Sequence, residues 1–363
     1  MTRFCTRCVI STNRPIASRE YSRVPGSEPG RMAFDEAGVC AACRVAEAKT
    51  TVDWGARRES LRELLAKYRR TDGRPDVLVP GSGGKDSVLA AHTLRQFGLH
   101  PLTVTWAPHA YTEVGWRNFH AWLAAGFDNL LVTPNPKVHR TLTRLAFTNL
   151  LHPFQPFILG QRSLAPKLAA RLGIELVVFG EDDAEYEGEA GWQQKDEWLG
   201  SPEAYCIAGE TYPALITKHG LAKYDLDLYM PAFAPQVVRI ALGNYIRWDP
   251  EEAYYFAQQH GFQRNEERTE GTFTLFNSID DRLDPLHYYT MFTKFGVGRA
   301  SHDASMHIRN GRLTREEGVA LVHQYDGEIR KESVQWYADY MSISVDEFWQ
   351  TIWRFRKVYP QVQ

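Results

Sequence analysis

The sequence has almost no net charge, few cysteines, no long apolar run and no internal repeat, and these shortages remove whole classes of function. Its 42 Lys plus Arg against 44 Asp plus Glu leave a formal charge of −2. The chain therefore has no general basic field of the kind that draws a protein onto a phosphate backbone, and nucleic acid is not expected as a partner, although a local basic groove stays open. No stretch reaches the roughly 18 uncharged apolar residues that a membrane-crossing helix needs, so membrane insertion is not expected. The start, Met1-Thr2-Arg3-Phe4-Cys5, lacks the apolar segment of a secretory leader, and a cytoplasmic location is the resulting expectation. Cysteine is limited to five residues, four of them in two CxxC pairs near the N-terminus. That pattern fits a reducing compartment, where thiolates hold metal better than they form disulfides.

What is present is ordinary globular sequence, with 44% hydrophobic and 24% charged residues and no low-complexity tract. A length of 363 residues predicts two main units plus a small appendage. Residues 1–50 are rich in Cys, Arg, Pro and Gly with little apolar periodicity, the composition of a loop-rich module that cannot bury a core unaided. Leu61, Leu64, Leu65 and Tyr68 then recur at helical spacing and predict a linker helix, ended by Thr71-Asp72-Gly73-Arg74-Pro75. From residue 76, strands over 76–80, 101–106, 129–133 and 175–179 alternate with helices over 87–97, 116–125 and 164–172. Such alternation predicts an α/β fold, a parallel doubly wound sheet covered on both faces. Beyond about Tyr212 it fades into aromatic-rich helical segments over 250–260, 285–295, 314–325 and 345–356. The expected division is a four-cysteine module (1–50), an α/β nucleotide domain (51–212) and a mainly helical C-terminal substrate or partner region (213–363).

The sharpest signal is Ser82-Gly83-Gly84-Lys85-Asp86-Ser87, set directly after an apolar strand and directly before a helix. Small residues let the backbone approach a pyrophosphate, and the N–H groups of a helix start form an anion site aligned with the helix dipole. Ser82 and Ser87 add hydroxyl donors, Lys85 neutralises phosphate charge, and Asp86 suits a magnesium ion. The string is neither the Walker phosphate loop nor the G-x-G-x-x-G of dinucleotide folds. It resembles the SGGxDS signature of PP-loop ATP pyrophosphatases, which cleave ATP between its α and β phosphates. A merely structural Gly-rich turn is the plainer alternative. Gly180-Glu181-Asp182 follows the fourth strand, with Glu185-Tyr186-Glu187-Gly188 close behind. Ligands of open parallel sheets bind beyond the carboxyl ends of the strands. Glu181 is therefore expected to join Asp86 on magnesium, and Glu185 and Tyr186 to meet substrate, unless this is a solvated acidic loop. Trp106, Gln161 and Gly180 complete the expected nucleotide set, with Gln161 and Arg162 alternatively read as helix caps.

Cys5-Thr6-Arg7-Cys8 and Cys40-Ala41-Ala42-Cys43 have the spacing of a zinc ribbon, whose two knuckles complete one tetrahedral site of four thiolates. A closed site of this kind is structural, with zinc supplying the folding free energy that the short segment lacks. An iron–sulfur cluster is the minor alternative. Cys206, left over, is more often a buried small hydrophobe than a nucleophile. Between Lys294 and Glu316 the chain becomes unusually polar: Arg299, Arg309, Arg312 and Arg315 with Gly296 and Gly298 suit a phosphate or carboxylate ligand. Lys294, Arg299, His302, Asp303, Arg309 and Arg315 are the candidate substrate contacts, with His302 also a candidate proton carrier. The segment from Thr272 to Asp281 either adds polar contacts or is a loop ending in an acidic helix cap.

Taken in order, the CxxC pairs, SGGKDS, the Gly180-Glu181 to Glu185-Tyr186 element and the Lys294-Phe295-Gly296 to Thr314-Arg315-Glu316 stretch resemble the N-acetyl sugar amidotransferases of bacterial surface-polysaccharide synthesis. The resemblance spans nearly the whole chain. It implies a PP-loop (adenine nucleotide α hydrolase-like) sheet with an N-terminal zinc ribbon, and ATP, Mg2+ and structural Zn2+ as cofactors. It also implies conversion of an acetamido group on a nucleotide-linked N-acetyl sugar to an acetamidino group, in lipopolysaccharide O-antigen or capsule synthesis. Catalysis would fall to Lys85, Asp86 and Glu181, with ammonia from partner glutaminase and cyclase-like subunits. The absence of a glutaminase-type cysteine arrangement agrees with this, since Cys206 has no evident catalytic partner in the sequence. Two other readings stand beside it. A tRNA-modifying (thiolating) PP-loop enzyme is opposed by the near-zero charge and the lack of a second cysteine pair in the catalytic region. A non-catalytic nucleotide-binding scaffold is opposed by the joint presence of Lys85, Asp86 and Glu181.

Overall fold

The computed structural model describes residues 2–15, 31–181 and 205–363. Helix α1 (Ala41–Ala48) continues from the second cysteine pair, and α2 (Trp54–Ala66) is the linker helix, N-capped by Asp53, whose carboxylate accepts from Ala56 N at 3.0 Å. The α/β alternation follows: β1 (Val77–Pro80), α3 (Lys85–Gln96), β2 (Pro101–Trp106), α4 (Glu113–Ala124), β3 (Asn129–Val132), α5 (Pro136–Leu150), α6 (Gln155–Leu172) and β4 (Leu176–Phe179). A short hairpin, then α7 (Tyr212–His219) and α8 (Lys223–Asp227), lead to a fifth strand, β5 (Val238–Ala241). Strand order is β3-β2-β1-β4-β5 and every neighbouring pair is parallel. The chain builds outward from β1 through β2 to β3, then returns to the other side as β4. That reversal puts a topological switch point between β1 and β4.

Side-chain alternation along the strands sorts the sheet's two faces. Leu78, Leu102, Val104, Val177 and Phe179 pack with Leu142, Phe147, Leu164 and Ala165 of α5 and α6. Val77, Val79, Leu176, Val178 and Ile240 pack with Leu61 of α2 and Val88 and Leu94 of α3. Burial on both faces is why β1 and β4 read as unbroken apolar runs. Strand β5 lies beyond residue 212, where the alternation was expected to fade. Its four residues carry Arg239, and pairing with β4, from Leu176↔Val238 to Phe179↔Ala241, is what makes them a strand.

The remaining helices are α9 (Pro250–Gln259), α10 (Asp284–Phe295), α11 (Arg299–Arg309), α12 (Arg315–Tyr325), α13 (Lys331–Met341) and α14 (Val345–Phe355). Reciprocal capping boxes, Thr314 with Glu317 and Ser344 with Glu347, start α12 and α14. Tyr337, Met341, Phe348 and Ile352 of α13 and α14 join the core shared by α5 and α6, with Phe147 stacked on Phe348 at 5.1 Å. Among the described residues no helix is long and apolar enough to cross a membrane.

Candidate functional site

At the end of β1 the chain turns sharply into α3. Gly83 adopts φ +85°, and a Cβ there would lie 2.6 Å from the Asn118 carbonyl oxygen, so the turn needs glycine. Gly84 is the N-cap of α3 and brings no side-chain acceptor, which leaves the first-turn N–H groups suited to an anion. From β4, Gly180 passes so close that a Cβ would sit 2.1 Å from the Asp86 carbonyl oxygen. The switch point thus packs the two strand ends backbone to backbone, and Glu181 shares a cavity with the loop.

Within the loop, Lys85 Nζ donates to Asp86 Oδ2 at 2.6 Å and the Trp248 indole Nε1–H donates to Asp86 Oδ1 at 3.0 Å. Trp248 is fully buried. Its neighbour Asp249 caps α9 and accepts from Arg312 Nη2 at 2.9 Å, so the C-terminal region braces the Asp86 carboxylate. The hydroxyls of Ser82 and Ser87 donate to Asp280 Oδ2 at 2.8 Å and to the Gly84 carbonyl at 2.9 Å.

A cavity of about 420 Å³ runs from this loop into the C-terminal region. Lys85, Asp86, Trp106, Gly180 and Glu181 line it, as do Asp280, which Ser82 joins to the loop, and Asp284, His287, Tyr288, Arg299 and His302 from the C-terminal region. Gln161 and Arg162 also line it, and they lie inside α6, which begins at Gln155; the reading of them as helix caps is therefore corrected. Nothing in the local sequence marks Trp248, Asp284, His287 or Tyr288 as site residues, because each is recruited from a distant helix or loop.

Of the two roles expected of the segment ending at Asp281, the structure shows the polar contacts and not the helix cap. Leu283 is the N-cap of α10 and has no side-chain cap bond. Asp281 accepts from Leu283 N at 2.8 Å within the preceding turn and from His109 N at 2.6 Å, which ties the loop after β2 to the start of α10. Burial pushes Asp281 up to about 7. It likewise raises Asp280 and lifts Asp284 to about 6, the latter against the opposing charge of Arg299. For Asp284 the folded value lies above the ordinary one of 3.8, so ionising it costs the fold stability. That cost is absent below the ordinary value and complete above the raised one. Asp284→Asn is therefore expected to be more stable than the native chain at pH 7.5, by on the order of 1–2 kcal/mol, and no more stable at pH 4. Thermal melts at the two pH values check this, and a variant that gains nothing at pH 7.5 would refute it.

Arg299 is held toward the cavity by the Tyr288 hydroxyl at 2.5 Å and by Asp303 Oδ1 at 3.1 Å. Asp303 is wholly buried and also accepts from Thr272 Oγ1 and Asn277 Nδ2, so it serves as the anchor of Arg299. Lys294 donates to the Leu150 carbonyl at 3.2 Å, away from the cavity lining. Arg315 binds the Cys5 carbonyl at 3.4 Å and so belongs to the contact with the cysteine module, while the charge of Arg309 acts on both Cys8 and His302. The glycine-flanked start of α11 is covered by the chain itself, since Asp326 accepts from Gly298 N at 3.0 Å and Ser301 N at 3.2 Å. Glu185 and Tyr186, with Asp182, Glu187 and Gly188, lie outside the described residues.

The four N-terminal sulfurs form a second centre. All are buried and lie within 4.8 Å of one another, with Cys5 to Cys43 at 3.9 Å and Cys8 to Cys40 at 3.7 Å. A tetrahedron of thiolates around zinc has an edge of about 3.8 Å. Backbone N–H groups of Arg7, Cys8 and Cys40 point at Cys5 Sγ from 3.4, 3.5 and 3.3 Å, as suits a thiolate. Hydrogen bonds from Cys40 first, then Cys43 and Cys8, drive the Cys5 thiol down, while the same crowding drives Cys43 up. A divalent cation removes that conflict.

Residues 270–361, which contribute Asp280, Asp284, Tyr288, Arg299 and His302 to the cavity, match the family model described as LPS biosynthesis protein WbpG-like, C-terminal domain. The chain carries a WbpG-like domain. That domain takes in α10 to α14, so the family likeness read from the Lys294 to Glu316 stretch stands. Comparison with curated proteins gives no significant match. Among solved structures, NMN synthetase from Francisella tularensis is 10% identical, covering 85% of this chain and 99% of its own, with a TM-score of 0.38. The U34-tRNA thiolase NcsA from Methanococcus maripaludis, with its 4Fe-4S cluster, is 13% identical over 80% of this chain and 87% of its own, at a TM-score of 0.31. NAD+ synthetase from Burkholderia pseudomallei is 16% identical over 62% of this chain and 96% of its own, at 0.25. Likenesses this distant carry nothing about substrate or reaction.

Proposed function

We propose that the chain is an ATP-dependent amidotransferase, a carbon–nitrogen ligase that turns the acetamido group of a nucleotide-linked N-acetyl sugar into an acetamidino group. It would act in the cytoplasm, in lipopolysaccharide O-antigen or capsule synthesis. One observation carries the reading: the phosphate loop and the WbpG-like residues line the same cavity, so a nucleotide held at the loop meets whatever the domain recognises.

The acetamide oxygen would attack the α phosphorus of ATP. The bond to the bridging oxygen breaks, pyrophosphate leaves, and the amide N–H proton is lost to give an O-adenylated imidate. Ammonia then adds to the imidate carbon, AMP departs with a proton, and the amidine remains. Lys85 and the first-turn N–H groups of α3 stabilise charge on the departing pyrophosphate. Asp86 and Glu181, from the two strand ends that line the cavity, would hold Mg2+, which supplies charge neutralisation on the phosphates when bound. Arg299, set by Tyr288 and Asp303, suits the sugar-linked phosphates. Cys206 is buried and its thiol is pushed up by burial, unlike an activated glutaminase nucleophile. Ammonia would therefore come from separate glutaminase and cyclase-like subunits. Zn2+ in the four-cysteine centre would be structural.

The test is incubation with ATP, MgCl2, ammonium chloride and a panel of UDP- and CMP-linked N-acetyl sugars. Equal yields of AMP and pyrophosphate are expected, with a sugar whose mass shows NH in place of O. Release of ADP, or pyrophosphate release that needs tRNA, would overturn the proposal.

A further inference from the structure

We propose that Arg14, carried by the four-cysteine module, is a positioning residue that fixes His302 as a neutral ring with its proton on Nε2, a dedicated donor to a substrate oxygen. This rests on reading the C-terminal side of the cavity, lined by Arg299 and His302, as the sugar side.

The tautomer follows from the donor inventory. A guanidinium is always protonated and offers only donors. Arg14 Nη2 lies 3.3 Å from His302 Nδ1, so Nδ1 must be the acceptor and the ring proton must sit on Nε2. Protonating Nδ1 as well would set two donors against each other. His302 Nε2 is shielded from solvent and has no hydrogen-bond partner among the described residues, while the ring lines the cavity. A buried N–H left without an acceptor is costly, and a bound oxygen acceptor relieves that cost. The groups facing the ring, Arg14, Arg299, His287 and Arg309, all oppose a further proton, and burial opposes it most. On this proposal the ring serves as a fixed donor in place of the proton carrier that the sequence suggested.

The cysteine module is built to deliver Arg14. Cys5 N bonds to the Ile10 carbonyl at 2.8 Å, Arg14 N to the Ser11 carbonyl at 3.1 Å and Met32 N to the Arg14 carbonyl at 2.9 Å, which runs a tight path from the first cysteine pair to Arg14. Arg14 is 2% exposed, and the next residue, Pro15, lines the cavity. On its other flank α11 packs Ile308, with Val297 just before the helix, against the cysteine cluster. The metal centre and the helix bearing His302 are thus one packed unit. Its ligand is an acceptor oxygen, whether a sugar hydroxyl, an acetamido carbonyl or a phosphate, and a donor group at that position would be rejected.

The experiment uses the full chain labelled with 15N-histidine, with His302 assigned by its absence in His302→Asn. In the native protein the His302 nitrogens are expected to show an unprotonated Nδ1 and a protonated Nε2 from pH 8 down to pH 5. Arg14→Leu should mix the tautomers or bring the ring into titration within that range, and Arg14→Lys should restore the native pattern. Metal content and thermal midpoint report whether each variant folds. In kinetics, Arg14→Leu and His302→Asn should raise KM for the nucleotide sugar about tenfold and leave KM for ATP unchanged. A protonated or Nδ1–H ring in the native protein overturns the proposal, as does an unchanged pattern in Arg14→Leu. Should Arg14→Leu fail to fold, the native spectrum still decides. The spectrum does not depend on what the substrate is, so a failed sugar assignment would show in the turnover assay alone.

Discussion

Asp86→Ala is expected to abolish AMP formation, by roughly 10²- to 10³-fold or more, while leaving the four-cysteine centre loaded with metal. The size of the effect follows from what the carboxylate does in the fold. It accepts from Lys85 Nζ and from the Trp248 indole, one to each oxygen, in a site where the Lys85 and Asp86 side chains are only 8% and 18% exposed. Removing it takes away the proposed magnesium ligand, frees the lysine from its set position and deletes the acceptor of the Trp248 indole bond. Asp86→Asn separates these roles, since its amide keeps an acceptor and the shape but not the charge. It should fold with a near-native thermal midpoint and still fail to release pyrophosphate. Full turnover in either variant would show that the carboxylate is not part of the phosphate machinery. Unfolding of Asp86→Asn would show that its role is structural.

Loss of one thiolate should have the largest effect on stability. Cys8→Ala is expected to release the metal from the N-terminal centre and to lower the thermal midpoint of the whole chain, because metal binding in small four-ligand modules is worth about 10–16 kcal/mol, comparable with the entire stability of an ordinary domain. Among the described residues the core of the module is the cysteines themselves with Ile10, Met32, Val39, Ala41, Ala42 and Val297. Damage should reach the sugar side of the cavity before the nucleotide side. The module touches α11 through Ile308 and Arg14, and holds Arg315 through the Cys5 carbonyl, whereas the phosphate loop is bounded by β1, β4 and Trp248. ATP binding measured by calorimetry should therefore outlast nucleotide-sugar binding as metal is withdrawn. Metal analysis should give one zinc per chain, and a visible absorption band from the purified protein would instead identify an iron–sulfur cluster. An unchanged midpoint with full metal content in Cys8→Ala would sink this prediction.

Features whose cause is local were legible in the sequence. The Ser82 to Ser87 string needs only small residues after a strand and before a helix, and both neighbours are written in adjacent apolar patterns. The two CxxC pairs have one obvious use at that spacing, and the sulfurs do converge. Helix α5 is absent from the sequence reading although Asn135-Pro136 marks its start and Val138, Leu142, Leu145 and Ala146 recur at helical spacing. The start of α6 also lies earlier than the expected 164, at Gln155.

The sequence by itself determined the parallel α/β plan, the phosphate loop and the four-thiolate centre, since each depends on residues within a few positions of one another or on a fixed repeat. Only the tertiary structure decided which polar residues line the cavity. It placed Arg299 and His302 there, left Lys294 and Arg315 out of the lining, covered the start of α11 with Asp326, and brought Trp248 to Asp86. The physical reason is that a charged side chain carries the same local signal whether it faces a ligand, caps a helix or braces a neighbour. Its role is settled by the partner that packing brings within hydrogen-bond reach.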